Sequence, residues 1–157
     1  MSPSPGQLNF DDARHYLMDS VPHARALGMR LLACADGRAD GEQPYDVRLI
    51  GNPDTGVIAG GVVTTLIDNV CGMAVLSKLR VLQRVATLDL RVDYLRPARP
   101  EHVLRCTAEC YRVTHHIAFV RATVHDGDVD DPLATASGTF VLLQDERHSA
   151  AIKELAP

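Results

Sequence analysis

The sequence predicts an α+β protein in which one antiparallel sheet wraps around a single long central helix. Three observations carry this expectation. From Gly56 to Ser77 the chain is almost wholly apolar, with Asp68 the only charge between Asp54 and Lys78. Four segments follow in which apolar and polar residues alternate, the period of half-buried strands. Two shorter strand-like runs precede the apolar stretch, and neither an internal repeat nor a linker divides the 157 residues. A chain of this length is most simply one domain, and it is long enough to bury its own core.

In chain order, residues from about Phe10 to Gly28 read as helical. Asp11 and Asp12 suit a first turn, and Tyr16, Leu17, Val21, Ala24 and Leu27 recur at helical spacing. Pro22 kinks or divides the segment. Met29–Ala35 and Tyr45–Ile50 read as two strands joined by the turn-rich residues 36–42. Residues 51–56 are dense in turn formers and make a loop feeding the apolar helix. In Val85–Leu95, Ala86, Leu88, Leu90, Val92 and Tyr94 share one face, and Thr87, Asp89, Arg91 and Asp93 the other. Pro97 and Pro100 end that strand. Residues 102–113 group Leu104, Cys106, Ala108 and Cys110, and residues 117–125 group Ala118, Val120, Ala122 and Val124. Residues 126–132 form a turn, Leu133–Leu143 the last strand, and the polar tail from Gln144 a short helix.

Composition narrows the function classes. Apolar residues make up 46% and charged residues 23%, ordinary for a soluble globular protein. A net charge of −4, no Lys/Arg block, 4% aromatic residues and no Trp argue against nucleic-acid binding. Cys34, Cys71, Cys106 and Cys110 lack metal-type spacing, so buried thiols in a reducing cytoplasm are expected rather than zinc. No basic stretch followed by an apolar core opens the chain, so no signal peptide is expected. Residues 57–77 are long enough to span a membrane. Asp68, Asn69, the glycine pair and the strands downstream favour a helix wrapped by protein instead.

Asp68 asks for a reason, because a carboxylate in apolar surroundings is costly unless it is bonded or beside solvent. Eight residues before it, Gly60-Gly61 mark a place where a helix starts and leaves backbone amides unpaired. Two bland explanations stand beside a catalytic one. The acid can be tied structurally to backbone or threonine groups, and the glycines can serve close packing of helix on sheet.

The run Gly51-Asn-Pro-Asp-Thr-Gly-Val-Ile-Ala-Gly-Gly-Val-Val-Thr-Thr-Leu-Ile-Asp-Asn-Val-Cys-Gly-Met-Ala resembles the hotdog-fold acyl-CoA thioesterases of the phenylacetate-pathway (PaaI-like) group. That group carries an Asn, a Gly, then His-Gly-Gly and an acid seven residues after the second Gly. Here the second Gly is Gly61 and the acid is Asp68. Ala86-Thr-Leu-Asp-Leu-Arg-Val-Asp-Tyr-Leu-Arg-Pro-Ala98 looks like the group's strand after the helix, and Ala134-Thr-Ala-Ser-Gly-Thr-Phe140 like its last strand. The likeness spans roughly residues 25–143. It implies a hotdog fold, hydrolysis of a small or medium acyl-CoA without a cofactor or metal, and a homodimer or a homotetramer built as a dimer of dimers. Asp68 would be general base or nucleophile. The amides of Gly60 and Gly61 would hold the oxyanion, glycine leaving room for the substrate carbonyl. Thr87, from the neighbouring subunit, would orient the water, and Asn52, near the group's loop Asn, would shape the site.

One departure stands out: Ala59 replaces the histidine before the glycine pair. That motivates an alternative, a non-catalytic protein that binds acyl-CoA or another ligand. A dehydratase or hydratase needs a histidine near the central helix, and none lies between His23 and His102. His115 and His116, in a turn, are no evident replacement. Arg96 and Arg99 read as solvated charges rather than partners of CoA phosphates.

Overall fold

Two consecutive residues with positive φ, Asp36 (50°) and Gly37 (86°), set the first hairpin. A two-residue connection of this hand matches the right-handed twist of paired strands, and Asp-Gly is among its favoured sequences. In the computed structural model, which describes residues 14, 21–79 and 83–143, this turn joins β1 (Arg30–Ala35) to β2 (Arg38–Gln43). Most of the expected turn over residues 36–42 is therefore strand. The expected strand Tyr45–Ile50 is instead a 3-10 turn (Val47–Leu49), capped by Asp46, leading into the short β3 (Ile50–Asn52). Polar composition disguised β2, whose Ala39 and Gly41 face the core. Gly41 lies so close to the central helix that an added Cβ would sit 2.6 Å from Val70 Cγ2.

Helix α1 (Pro22–Leu27) starts at Pro22 and ends where Gly28 takes φ 73°. Proline suits a first turn, where its missing N–H has no intrahelical acceptor to lose. Apart from Arg14, the rest of the helix expected from Phe10 lies outside the described residues, as does the tail from Gln144.

The short β4 (Val57–Ile58) pairs with β3 and delivers the chain to α2 (Gly60–Lys78). Leu66, Ile67, Val70, Cys71, Ala74 and Val75 of α2 are each at most 1% exposed. This helix is long and apolar enough to cross a membrane, yet it is the core helix, packed across the sheet. Its C-terminal end is tied down by Ser77, whose Oγ accepts the Gly37 N–H at 3.0 Å. The helix is not apolar all round, however. Gly61, Thr64, Thr65, Asp68 and Asn69, at helical spacing, form a stripe that no element of the described chain fully covers.

The sheet has six strands in the order β1-β2-β6-β7-β8-β5, every neighbouring pair antiparallel. It adds β5 (Arg84–Tyr94), β6 (Leu104–Val113), β7 (Ile117–His125) and β8 (Ala134–Leu143). The inward residues expected of β6 and β7 are buried as expected. In β5 the expected alternation breaks. Its register against β8 shifts between Thr87 and Asp89, leaving Leu88 without a partner and 57% exposed. Such a bulge moves the inward face from odd to even positions. Val85 and Thr87 before it therefore share a face with Leu90, Val92 and Tyr94 after it. This is what turns Thr87 towards α2.

Arg96 is not a solvated charge. Its guanidinium grips the buried Asp126 with two bonds, Nη1 to Oδ2 at 2.9 Å and Nη2 to Oδ1 at 2.7 Å. Asp126 also accepts the Arg99 backbone N–H at 2.8 Å. This cluster fastens the segment after β5 to the turn after β7. The Arg99 side chain stays about half exposed and reaches Asp131 at 3.4 Å.

Candidate active site

Asp68 and Thr87 meet on the uncovered stripe of α2. Thr87 Oγ1 donates to Asp68 Oδ1 at 2.7 Å, a bond from a neutral hydroxyl to a carboxylate that fixes the orientation of the acid. Both residues belong to the same chain. The expectation that Thr87 reaches Asp68 from a neighbouring subunit is thus corrected, and the bulge at Leu88 supplies the reason. The carboxylate is half-buried, one oxygen tied to Thr87.

At the start of the helix Ala59 occupies the cap position, with φ −59° and ψ 135°, and offers no side-chain acceptor. The Gly60 and Gly61 amides have no intrahelical partners, whereas the Val62 N–H donates to the Ala59 carbonyl at 3.0 Å. A Cβ added to Gly61 would meet nothing within 4 Å, and one added to Gly60 would make only ordinary contact with Tyr94, no nearer than 3.4 Å. Close packing within the chain therefore does not explain the glycine pair. Gly51 is different, since a Cβ there would lie 2.7 Å from Ala59 Cα. The loop before the helix is pressed against the cap at that point. Asn52 Oδ1 accepts the Asp54 N–H at 3.0 Å. The bond made by that side chain is local to its own turn and reaches neither Asp68 nor the glycines.

Two residues of this region were missed in reading the sequence. Tyr94 Oη donates to the Gly60 carbonyl at 2.7 Å and lies 2.7 Å from Thr64 Oγ1. Thr64 stands one turn before Asp68 on the same stripe, a spacing visible in the sequence. Tyr94 was visible only as one more residue on an alternating strand. Beside the helix start opens a largely apolar cleft of about 380 Å³, lined by Val57, Ile58, Val63, Tyr94, Pro97 and Leu133 among others.

Cys71, one turn beyond Asp68, is no competing nucleophile. Burial, reinforced by the Asp68 charge, pushes its thiol up to about 12. Burial also raises Cys34, Cys106 and Cys110, and all four thiols are free. The reactive species is the thiolate, so the native protein is expected to resist iodoacetamide at neutral pH while the denatured chain reacts at all four. Mass spectrometry reads the outcome, and rapid native labelling of Cys71 would contradict it.

A family model described as "Thioesterase superfamily" matches residues 55–132, from the turn before α2 to the turn after β7. The chain belongs to that superfamily and has its hotdog fold. The acyl-CoA thioesterase YigI of Escherichia coli, described as acting on medium and long chains, is 30% identical over 78% of this chain and 86% of its own. A protein of Halobacterium salinarum is 33% identical over 76% of this chain and 83% of its own. Among solved structures, one from Pseudomonas aeruginosa superposes with a TM-score of 0.76 at 37% identity, covering 83% of this chain and 96% of that one. PaaI of the E. coli phenylacetic acid degradation operon superposes with a TM-score of 0.74 over 83% of this chain and 90% of its own. At 18% identity that likeness speaks for the fold alone.

Proposed function

We propose that the protein hydrolyses acyl-CoA thioesters carrying a small or medium acyl chain, in the cytoplasm, with Asp68 as general base or nucleophile. The observation that carries this reading is the Thr87–Asp68 bond of 2.7 Å on a helix whose glycine start is open, in a member of the thioesterase superfamily. One Asp68 oxygen is held by Thr87, leaving the other to receive a proton from water or to attack the carbonyl carbon. The Gly60 and Gly61 amides donate to the oxygen on which negative charge develops. Asn52 helps to shape the loop that carries Gly51 against Ala59. The cleft beside Gly60 is within the size of ordinary ligand pockets and suits a chain of this length.

These parts do not complete one site within one chain. Between Gly61 and Asp68 the helix rises by roughly 10 Å, and the first-turn amides point outward from the helix start, away from the acid. Reacting atoms must approach to about 3–3.5 Å. We therefore assign to each glycine pair the Asp68–Thr87 couple of a second copy. The seam then falls between the acid and the glycines, not between the acid and Thr87. An 11-residue edge strand, β5, lies mostly exposed beside the uncovered stripe. Unpaired edges invite pairing, and a two-fold pairing there would supply both halves of two equivalent sites. A homodimer is thus the working unit, with a homotetramer as a pair of such dimers.

The direct test is release of free thiol from a ladder of acyl-CoA substrates, wild type beside Asp68→Ala. A pure wild-type protein that releases none from any of them refutes the reading. Ala59 keeps a second reading in play, a ligand-binding protein without turnover. Restoring histidine by Ala59→His is expected to raise turnover by about fivefold, the worth of one added hydrogen bond of roughly 1 kcal/mol. Acyl-CoA binding without turnover in both forms would favour the binding role.

A further inference from the structure

We propose that Tyr94 is a positioning residue that holds the oxyanion-binding amides of the helix start in place, acting through the Gly60 carbonyl. The inference rests on the reading of Gly60 and Gly61 as those donors. It starts from counting protons. Tyr94 has one hydroxyl proton and donates it to Gly60 O at 2.7 Å. The Thr64 hydroxyl then has its best acceptor in the Tyr94 oxygen at 2.7 Å. Its own contact with Gly60 O is longer, at 3.2 Å. The result is a chain of hydroxyls, Thr64 to Tyr94 to Gly60, in which each donor strengthens the next.

The end of that chain matters because the Gly60 carbonyl and the Gly61 N–H belong to one rigid peptide plane. A bond that fixes and polarises the carbonyl fixes the direction of the amide and makes it a stronger donor. Gly60 and Gly61 are the residues least able to hold such a plane by themselves, since glycine has the widest backbone freedom. Ala59 supplies no side-chain cap that would do it instead. Tyr94 reaches this point from the end of β5, the strand that also presents Thr87 to Asp68. One strand therefore orients both the acid and the amides of its own chain. About half of the Tyr94 surface is exposed, much more than core packing requires. Its ring also walls the apolar cleft.

The experiment compares wild type, Tyr94→Phe and Thr64→Val. Tyr94→Phe keeps the ring and removes only the hydroxyl. Expected is a fall in kcat of roughly 5- to 20-fold, less than the loss of an oxyanion donor itself, with KM within about twofold. Thr64→Val should lower kcat less, and the double variant should lose less than the product of the two, as coupled residues do. A purely structural role for Tyr94 would change thermal stability without this split between kcat and KM. A second readout needs no turnover. With 15N-glycine labelling, Tyr94→Phe should move the Gly61 amide resonance upfield while glycines such as Gly127 stay unmoved. Full kcat in Tyr94→Phe, or a loss confined to KM, overturns the proposal even if the thioesterase reading stands. If the wild type cleaves no thioester, that reading fails separately. The hydroxyl clamp is then judged on the amide resonances, and an unmoved Gly61 signal overturns it.

Discussion

Replacing Asp68 by Asn is expected to lower kcat for acyl-CoA hydrolysis by about 10²–10⁴-fold, the span attached to a positioned base. The substitution is nearly isosteric. Its amide oxygen still accepts the Thr87 hydroxyl that the carboxylate now receives at 2.7 Å, so the geometry survives and only the basic oxygen is lost. Asp68 is half-buried on the uncovered stripe, not in the packed core, so the thermal midpoint should stay close to wild type. A variant that is folded and inactive separates catalysis from architecture. A variant that keeps full rate removes Asp68 from the chemistry.

Asp126 should behave in the opposite way. Its side chain is fully buried and carries three bonds, two from the Arg96 guanidinium and one from the Arg99 amide. Without it Arg96 keeps its pair with Asp131, Nε to Oδ2 at 2.9 Å, so the loss is that of charge-assisted hydrogen bonds, about 2–3 kcal/mol. Asp126→Ala is therefore expected to lower the thermal midpoint by roughly 4–12 °C, taking about 2–4 °C per kcal/mol for a chain of this size. The pH dependence has a definite sign. The Arg96 guanidinium, with the Arg99 amide, holds the Asp126 carboxyl well below the usual carboxylate range. A depressed folded pKa stabilises above the unfolded value, near 3.9, and that contribution is lost as pH falls through the folded value. Wild type should begin to lose its margin over Asp126→Ala near pH 4, and midpoints measured at successively lower pH should draw together. A loss under 1 kcal/mol at pH 7, or a margin unchanged in acid, would show that the cluster holds little.

The parts of this fold that could be read from the sequence are those set by local pattern. The apolar run around Asp68 announced a core helix, and the alternation of residues 104–110 and 118–124 gave the inward faces of β6 and β7. Turn chemistry was legible at Asp36-Gly37, but the turn is expected to run on to residue 42, because the polar run behind it does not look like a strand. Other features depend on distant partners. Leu88 becomes a bulge only through its register with β8, and that shift is what brings Thr87 to Asp68. Arg96 looks like any surface arginine until the turn 30 residues on places Asp126 beneath it. Tyr94 acquires its bond to Gly60 from the packing of strand against helix. The glycine pair and the acid could be found from spacing. Which chain each serves could not, because spacing along one helix says nothing about a second copy.

The most direct measurement is subunit complementation between Asp68→Asn and Gly60→Pro. Proline at residue 60 deletes one amide at the first helical position, where it is tolerated, and Ala59 already has the extended backbone that must precede it. Each variant alone should be nearly inactive towards acyl-CoA. Co-expressed chains with different tags, purified as the mixed dimer, should recover roughly half the wild-type rate, because one of two symmetric sites then has both halves intact. A mixed dimer as inactive as its parents would contradict a thioesterase site built from the acid of one chain and the glycines of another.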